Sequence, residues 1–449
     1  MQTQSNLMTE GNIAKKIFIF SIPLILGNLF QQLYNTVDSI IVGNYVGSNA
    51  LAAVGSSTSI ISLLIAFSQG AAVGAGVIVA QNLGAKNKEG VHSAVHTALA
   101  IAIILGLVLS VVGVLGSPFL LEAMNTPDEV MTDSLTYIRI YFAGVLFNVV
   151  YNMGAGILNA VGNSKRSLIY LIYASVTNIV LDIVLIRIFG MGVEGAAIAT
   201  DISQVISSLL VIKFLVTVSD DYKVTLSKIR IHKKMAFRII KIGLPTGIQN
   251  MVISFSNVLV QSSINSFGAA AMAGVGTYMK IDGFNILPVM SFSMAVTTFT
   301  GQNYGAGKID RVKKGMFTTI TMGFIYTICI GILLLTFSEP IMRLFTDDLE
   351  VINFGENAML YFCPFYFLLS IMHGLAGTIQ GTGKSVPPMV IFLIALCLFR
   401  ILWINFALPL FGSIEGIFLL YPVSWALGTV LMILYAGRGK WLPKNTTQN

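Results

Sequence analysis

The chain alternates long apolar runs with short polar breaks. Twelve runs stand out, at about residues 17–42, 50–79, 92–116, 135–160, 168–189, 193–217, 238–265, 272–299, 314–337, 356–380, 386–409 and 414–436. Each exceeds the roughly 20 residues that a helix needs to cross a bilayer. The pattern predicts an all-α membrane protein with twelve transmembrane helices. Lys15 and Lys16 precede a first run that continues past the length of a signal peptide, so it reads as a retained helix. Composition agrees: 55% of residues are hydrophobic and 10% are charged, against roughly 25% charged in soluble domains.

The polar breaks fall into two alternating sets. One set holds Lys15/Lys16, Lys86/Lys88, Lys165/Arg166, the segment from Lys213 to Lys241, Lys308 to Lys314, Lys384, and Arg438/Lys440/Lys444, together 22 of the 27 basic residues. The other is poor in Lys and Arg and carries Glu122, Asp128, Glu129, Asp133, Asp347, Asp348 and Glu350. This positive-inside asymmetry places both termini in the cytoplasm and requires an even number of spans. It also explains the net charge of +7 without a nucleic-acid partner. The longest break, 218–237, carries Lys223, Lys228, Arg230, Lys233 and Lys234. It reads as a cytoplasmic linker with a short basic amphipathic helix at the lipid headgroups. The implied organisation is a six-helix lobe over residues 1–217, a linker over 218–237 and a second six-helix lobe over 238–449.

A shift of about 221 or 222 residues superposes the two halves. Ala80-Gln81-Asn82-Leu83-Gly84-Ala85 falls on Gly301-Gln302-Asn303-Tyr304-Gly305-Ala306, Pro23 on Pro245, Asn28 on Asn250, and Glu194-Gly195 on Glu415-Gly416. The match is colinear over nearly the whole chain. Each unit holds an even number of spans, so these are parallel repeats about an axis along the membrane normal. The QN-x-GA elements lie just past the second helix of each half, where Gln, Asn and Gly suit a cytoplasmic turn.

The repeat is an internal control, and its departures mark candidate chemistry. Charges at membrane depth are costly and usually functional. Asp38 has Val260 as its partner position, and Asp182 has Trp403 or Ile404. The fold therefore requires neither acid. Asn178 shares a helical face with Asp182. Asn28, Gln31, Asn35 and Asp38 form one stripe on the first helix that should face the bundle or a watery cavity. Such an aspartate loads and releases a proton as the cavity opens to alternate sides; with amide oxygens beside it, it forms a Na⁺ site instead. Asp201, beside Thr200, has Pro422 or Val423 as its mate. Tyr137, Tyr141, Asn148 and Asn152 of the fourth helix are further polar candidates. The second half offers Gln249, Asn250, Asn257 and Gln261 on the seventh helix, Asp282 on the eighth, His373 on the tenth and Arg400 on the eleventh, the last a deep charge expected to pair with an acid.

Other signals carry no function. Gly381-Thr-Gly-Lys384-Ser385 lacks the first glycine of a phosphate loop. His92 and His96 have no third ligand, and Cys329, Cys363 and Cys397 form no CxxC pair, so neither metal nor cofactor is expected. No nucleophile–base pattern suggests an enzyme.

The chain resembles the multidrug and toxic compound extrusion (MATE) transporters, and most nearly their bacterial DinF- and MepA-like branch. The resemblance runs over essentially the whole chain. Pro23 to Gly47, both QN-x-GA elements, Asn178-Ile-Val-Leu-Asp182, and Lys280-Ile-Asp282 through Gly307 carry it. It implies a V-shaped pair of six-helix lobes and export of organic cations coupled to H⁺ or Na⁺. The coupling acid of the first helix matches Asp38, and the amide and acid of the fifth match Asn178 and Asp182. Gln31, Tyr137 and Thr200 match accompanying polar positions, and Asn152 does so more loosely. Asp201 departs from that pattern. The NorM-like branch carries acids in the membrane core of the seventh and tenth helices, where this chain has none.

The expected function is therefore secondary antiport, by alternating access, of organic cationic or amphiphilic compounds against H⁺ or Na⁺. Cation coupling is expected at Asp38, Asp182, Asn178, Gln31, Tyr137, Asn152, Thr200 and Asp201. Substrate contacts are expected from Asn35, Tyr141, Asn148, Gln249, Asn257, Gln261, Asp282 and His373. The expected setting is a bacterial cytoplasmic membrane, with the chain acting as a monomer. A flippase for a lipid-linked saccharide, or an exporter of an endogenous metabolite, is the alternative; a flippase should line its cavity with several basic residues.

Overall fold

The computed structural model describes residues 7–124 and 126–443, and Lys444 lies outside them. The described residues form helices and connecting turns, with no strand among them. The twelve long helical segments are α1 (Ile13–Tyr45), α2 (Ser48–Gly84), α3 (Lys88–Ala123), α4 (Asp128–Ala160), α5 (Ser164–Ile188), α6 (Val193–Thr217), α7 (Lys233–Asn265), α8 (Ala269–Gly305), α9 (Ile309–Thr336), α10 (Leu349–Gly381), α11 (Val386–Phe411) and α12 (Glu415–Gly437). Ten of them are long and apolar enough to cross a membrane. The other two, α7 and α8, have the length but are more polar: α7 starts on Lys233, Lys234, Arg238 and Lys241, and α8 carries Lys280, Asp282 and Asn285.

The chain divides into two compact units that do not follow the sequence halves. The first is built on Ile22–Gly247 and the second on Thr9–Ser21 with the chain from Ile248 onward. The opening turns of α1 thus belong to the second unit and those of α7 to the first, so the predicted boundaries at 217 and 238 shift. Glycine contacts explain the placement of α7. A Cβ on Gly70 would lie 2.4 Å from the Gly243 carbonyl oxygen, and one on Gly74 would lie 2.4 Å from that of Ile239. Only glycines allow α2 and α7 this approach. In the second unit, Lys308 Nζ donates to the Thr9 carbonyl at 3.0 Å and Arg311 Nη1 to that of Gly11 at 3.0 Å.

Each unit has its own core. In the first, α2, α3, α4 and α6 pack around Val95, Leu99, Ile138, Phe142, Met153 and Leu215. In the second, α8, α9, α10 and α12 close over Tyr278, Phe362, Met372 and Phe418. Burial of such side chains is worth roughly 1.5–3 kcal/mol each when the reference is water.

The turns repeat with the sequence. Gly47, Gly162 and Gly190 have left-handed φ, as do their mates Gly268, Gly383 and Gly412. The fourth pair is Lys86 (φ 54°) and Gly307 (φ 71°), and Lys86 is the one non-glycine residue there among those described. The QN-x-GA elements finish α2 and α8 in the same way. Asn82 Nδ2 donates to Ile78 O and Asn303 Nδ2 to Phe299 O, both at 2.8 Å. The Asn87 and Lys308 amides then donate back to the Asn82 and Asn303 carbonyls.

The 218–232 segment corrects an expectation. It is irregular, with a turn at Asp220–Lys223 and one 3₁₀ turn at Leu226–Lys228, and forms no amphipathic helix. Its backbone donors find side chains on α3: Thr225 N–H donates to His96 Nε2 at 3.0 Å, and His232 N–H to Thr97 Oγ1 at 3.2 Å. His96 Nδ1 bonds the His92 carbonyl at 2.7 Å, so this ring is structural.

Left-handed φ costs a side chain about 1 kcal/mol. Lys86→Gly should therefore stabilise the detergent-solubilised protein by about 1 kcal/mol, and Gly383→Ala should destabilise it by a similar amount. Thermal unfolding of the two variants checks both signs.

Candidate functional site

The first unit gathers its polar residues around two acids. Asp38 sits on α1 at 8% exposure and Asp182 on α5 at 0%. Their carboxyl groups come within hydrogen-bonding reach of each other. Among the described residues no donor reaches Asp38 Oδ1, either oxygen of Asp182, or Asn178 Oδ1. Buried polar atoms almost always find partners, so four such oxygens in one place call for an explanation. Asn178 lies one turn before Asp182, and its Nδ2 donates to Thr200 Oγ1 on α6 at 3.4 Å. Immediately after Asp182 the helix widens into a π-helical turn, Ile183–Ile188. Such turns concentrate at functional positions.

Tyrosines surround the acids. Tyr34, one turn before Asp38, lies within electrostatic reach of both carboxyls. Tyr137 on α4 also feels both, and it stacks on Tyr141 with ring centroids 6.4 Å apart. Tyr34 was not singled out from the sequence, although its i,i+4 spacing to Asp38 was a usable signal. A small cavity of about 10 Å³ is lined by Tyr34, Tyr151, Asn178, Ser203 and Gln204 among others, but by neither acid. It has room for one water at most.

Other predicted residues lie apart. Asp201 packs on Gly144 of α4, where an added Cβ would lie 2.2 Å from its carboxyl carbon. Its field reaches Tyr141, and neither Asp38 nor Asp182 figures among the groups acting on it. Asn152 donates to Asn148 at 2.8 Å, which leaves the amides paired with each other. On α1, Gln31 and Asn35 are exposed while Asp38 turns inward, so the predicted stripe splits between two environments.

Among its described residues the second unit carries no equivalent acid pair. Gln249 accepts from Gln380 at 2.9 Å, and Gln261 donates to Asn265 at 3.0 Å. Asp282 accepts from the Tyr366 hydroxyl at 2.5 Å, which is itself bonded to the Tyr278 hydroxyl. His373 is buried, with its ring edge-on to Phe392 at 5.2 Å. Arg400 pairs with no acid among the described residues, contrary to expectation; its bonds go to Ser424, Ser256 and Asn257.

The model of the MatE family matches residues 23–184 and again 245–404, one match in each half of the chain. The chain belongs to the MatE family. It is 30% identical to a probable multidrug resistance protein of Bacillus subtilis (strain 168), YpnP, over 96% of this chain and 97% of that one. It is 23% identical to the multidrug export protein MepA of Staphylococcus aureus (strain MSSA476), covering 93% and 91% of the two chains. Its fold superposes with a TM-score of 0.90, at 25% identity and 98% coverage of both chains, on an outward-facing multidrug resistance MATE family transporter of the MOP superfamily. The MatE protein described here is therefore a multi-pass membrane protein from a family of multidrug efflux transporters, not of enzymes.

If Asp38 and Asp182 share one site, their substitutions are not additive. Asp38→Asn and Asp182→Asn should show a coupling energy of about 1–3 kcal/mol in a double-mutant cycle of unfolding. Asp201→Asn, which packs on Gly144 instead of against the pair, should couple to neither by more than about 0.5 kcal/mol.

Proposed function

We propose that this MatE protein is a secondary antiporter that exports organic cationic or amphiphilic compounds in exchange for H⁺, with coupling at Asp38 and Asp182. The supporting observation is the contact of two buried carboxyl groups, unpaired with any cation, at positions that the second repeat fills with Val260 and Trp403 or Ile404. Two adjacent carboxylates repel, and one proton held between them removes the repulsion. Loss of that proton restores the repulsion and gives the helices α1 and α5 a reason to move. Alternating access links that movement to release of substrate.

Exchange for Na⁺ is the second reading. The oxygens of Asp38, Asp182, Asn178 and Thr200 form the hard donor set that such an ion takes. The lipid-linked saccharide reading draws little support, since Arg400 is the one lysine or arginine buried among the described residues. The basic breaks favour a cytoplasmic location for both termini, in the cytoplasmic membrane of a bacterium. The chain acts as a monomer in this reading, because each unit brings its own core and the acid pair lies within one unit.

Reconstitution in liposomes tests the proposal. An acidic lumen should drive uptake of a lipophilic organic cation, and a Na⁺ gradient alone should not. Asp38→Asn and Asp182→Asn should each reduce uptake to the protein-free background while inserting normally. Wild-type uptake by both variants would contradict coupling at this pair.

A further inference from the structure

Arg400 is 3% exposed, on α11 of the second unit. Its Nε donates to Ser424 Oγ at 3.1 Å, and its Nη1 to Ser256 Oγ at 3.3 Å and Asn257 Oδ1 at 3.5 Å. The guanidinium carbon lies 4.6 Å from the centroid of the Tyr421 ring. Every one of these partners is neutral. Among the described residues the ion pairs involve Lys88, Lys308 and Arg343, and none involves Arg400. Asp282 acts with Arg400 on the ring of Tyr421, but its own oxygen is taken by Tyr366.

A buried charge without a counter-charge costs several kcal/mol. The surroundings here hold the cation without cancelling it. Ser256 is fixed by donating to the Leu396 carbonyl, and Ser424 by donating to the Tyr421 carbonyl. The Nη2 group makes no hydrogen bond among the described residues, so part of the five-donor fork is unspent. Asn257, which meets Nη1, is exposed, so the guanidinium lies one side chain below an open face of α7. The repeat adds an independent observation. With a shift of 222, position 400 falls on Asn178, the amide beside the acid pair of the first unit. The second unit thus carries a cation where the first carries the amide beside its acid pair.

We propose that Arg400 is an anion-recognising subsite of the second unit, and that it takes the carboxylate of zwitterionic or amphiphilic substrates. This rests on the export reading above. A planar guanidinium accepts a carboxylate through two parallel N–H donors, a geometry that a lysine does not supply. Displacing Asn257 Oδ1 from Nη1 and using the unspent Nη2 provides that edge. No bond is made or broken.

The test is equilibrium binding to the purified full-length protein of a matched pair of dyes, tetramethylrhodamine with its free carboxylate and its methyl ester. The wild type should bind the acid at least about tenfold more tightly than the ester, a difference of about 1.4 kcal/mol. Arg400→Gln should remove the preference while keeping the affinity for the ester, and Arg400→Lys should retain part of it. A purely structural role would lower both affinities alike. Equal binding of acid and ester by the wild type would overturn the proposal even if no variant folds, and so would an unchanged ratio in Arg400→Gln. Binding of neither dye would overturn the export reading and this subsite together.

Discussion

Two carboxyl groups pressed together inside apolar helices set the terms for the first unit. Charges about 4 Å apart at an effective dielectric of about 20 repel by roughly 4 kcal/mol, and helices cannot absorb that cost while the pair stays closed and fully ionised. A single proton makes the pair attractive, because one oxygen becomes a donor to the other. Asn178, one turn before Asp182 on α5, is anchored on Thr200 of α6. The π-helical turn after Asp182 loosens the ladder of α5 exactly beyond the acid, so the helix that carries the charge is also the one with a bend built into it.

The second unit shows what the same architecture does without the pair. It has π-helical turns of its own, Leu393–Leu398 and Trp403–Ala407, in α11, the helix that corresponds to α5. The bend is therefore a property of the duplicated fold, and the acid is an addition to it. Where the first unit has an amide and two acids, the second has a guanidinium among hydroxyls and an aromatic face. On the function proposed above, divergence after duplication separates a proton-handling unit from one fitted to hold a ligand's opposite charge.

Much of this was legible in the residues. Spans follow from apolar run length, and the repeat from colinear Gly, Pro, Gln and Asn positions that reappear as paired turns. The acids Asp38 and Asp182 stood out because the repeat dispenses with them, and the fold brings them into contact. What escaped the sequence was non-local. The 218–232 segment has helix-compatible charges, yet it forms no α-helix, and His96 and Thr97, far away in sequence, supply partners to its backbone. The assignment of α7's opening turns to the first unit depends on Gly70 and Gly74 meeting Gly243 and Ile239, a match that no local pattern encodes. Arg400 was visible as a deep charge, but its neutral partners come from α7 and α12, and the expected acid is not among them. Asn148 and Asn152 satisfy each other, a pairing that an i,i+4 spacing allows but does not require.

The central claim is that one proton sits between Asp38 and Asp182 and leaves when substrate is bound. The most direct measurement is the number of protons released into weakly buffered solution when the purified protein binds a saturating organic cation. The account predicts release of about one proton per protein molecule, abolished by either Asp38→Asn or Asp182→Asn. Substrate binding without proton release in the wild type, or undiminished release in both variants, would contradict it.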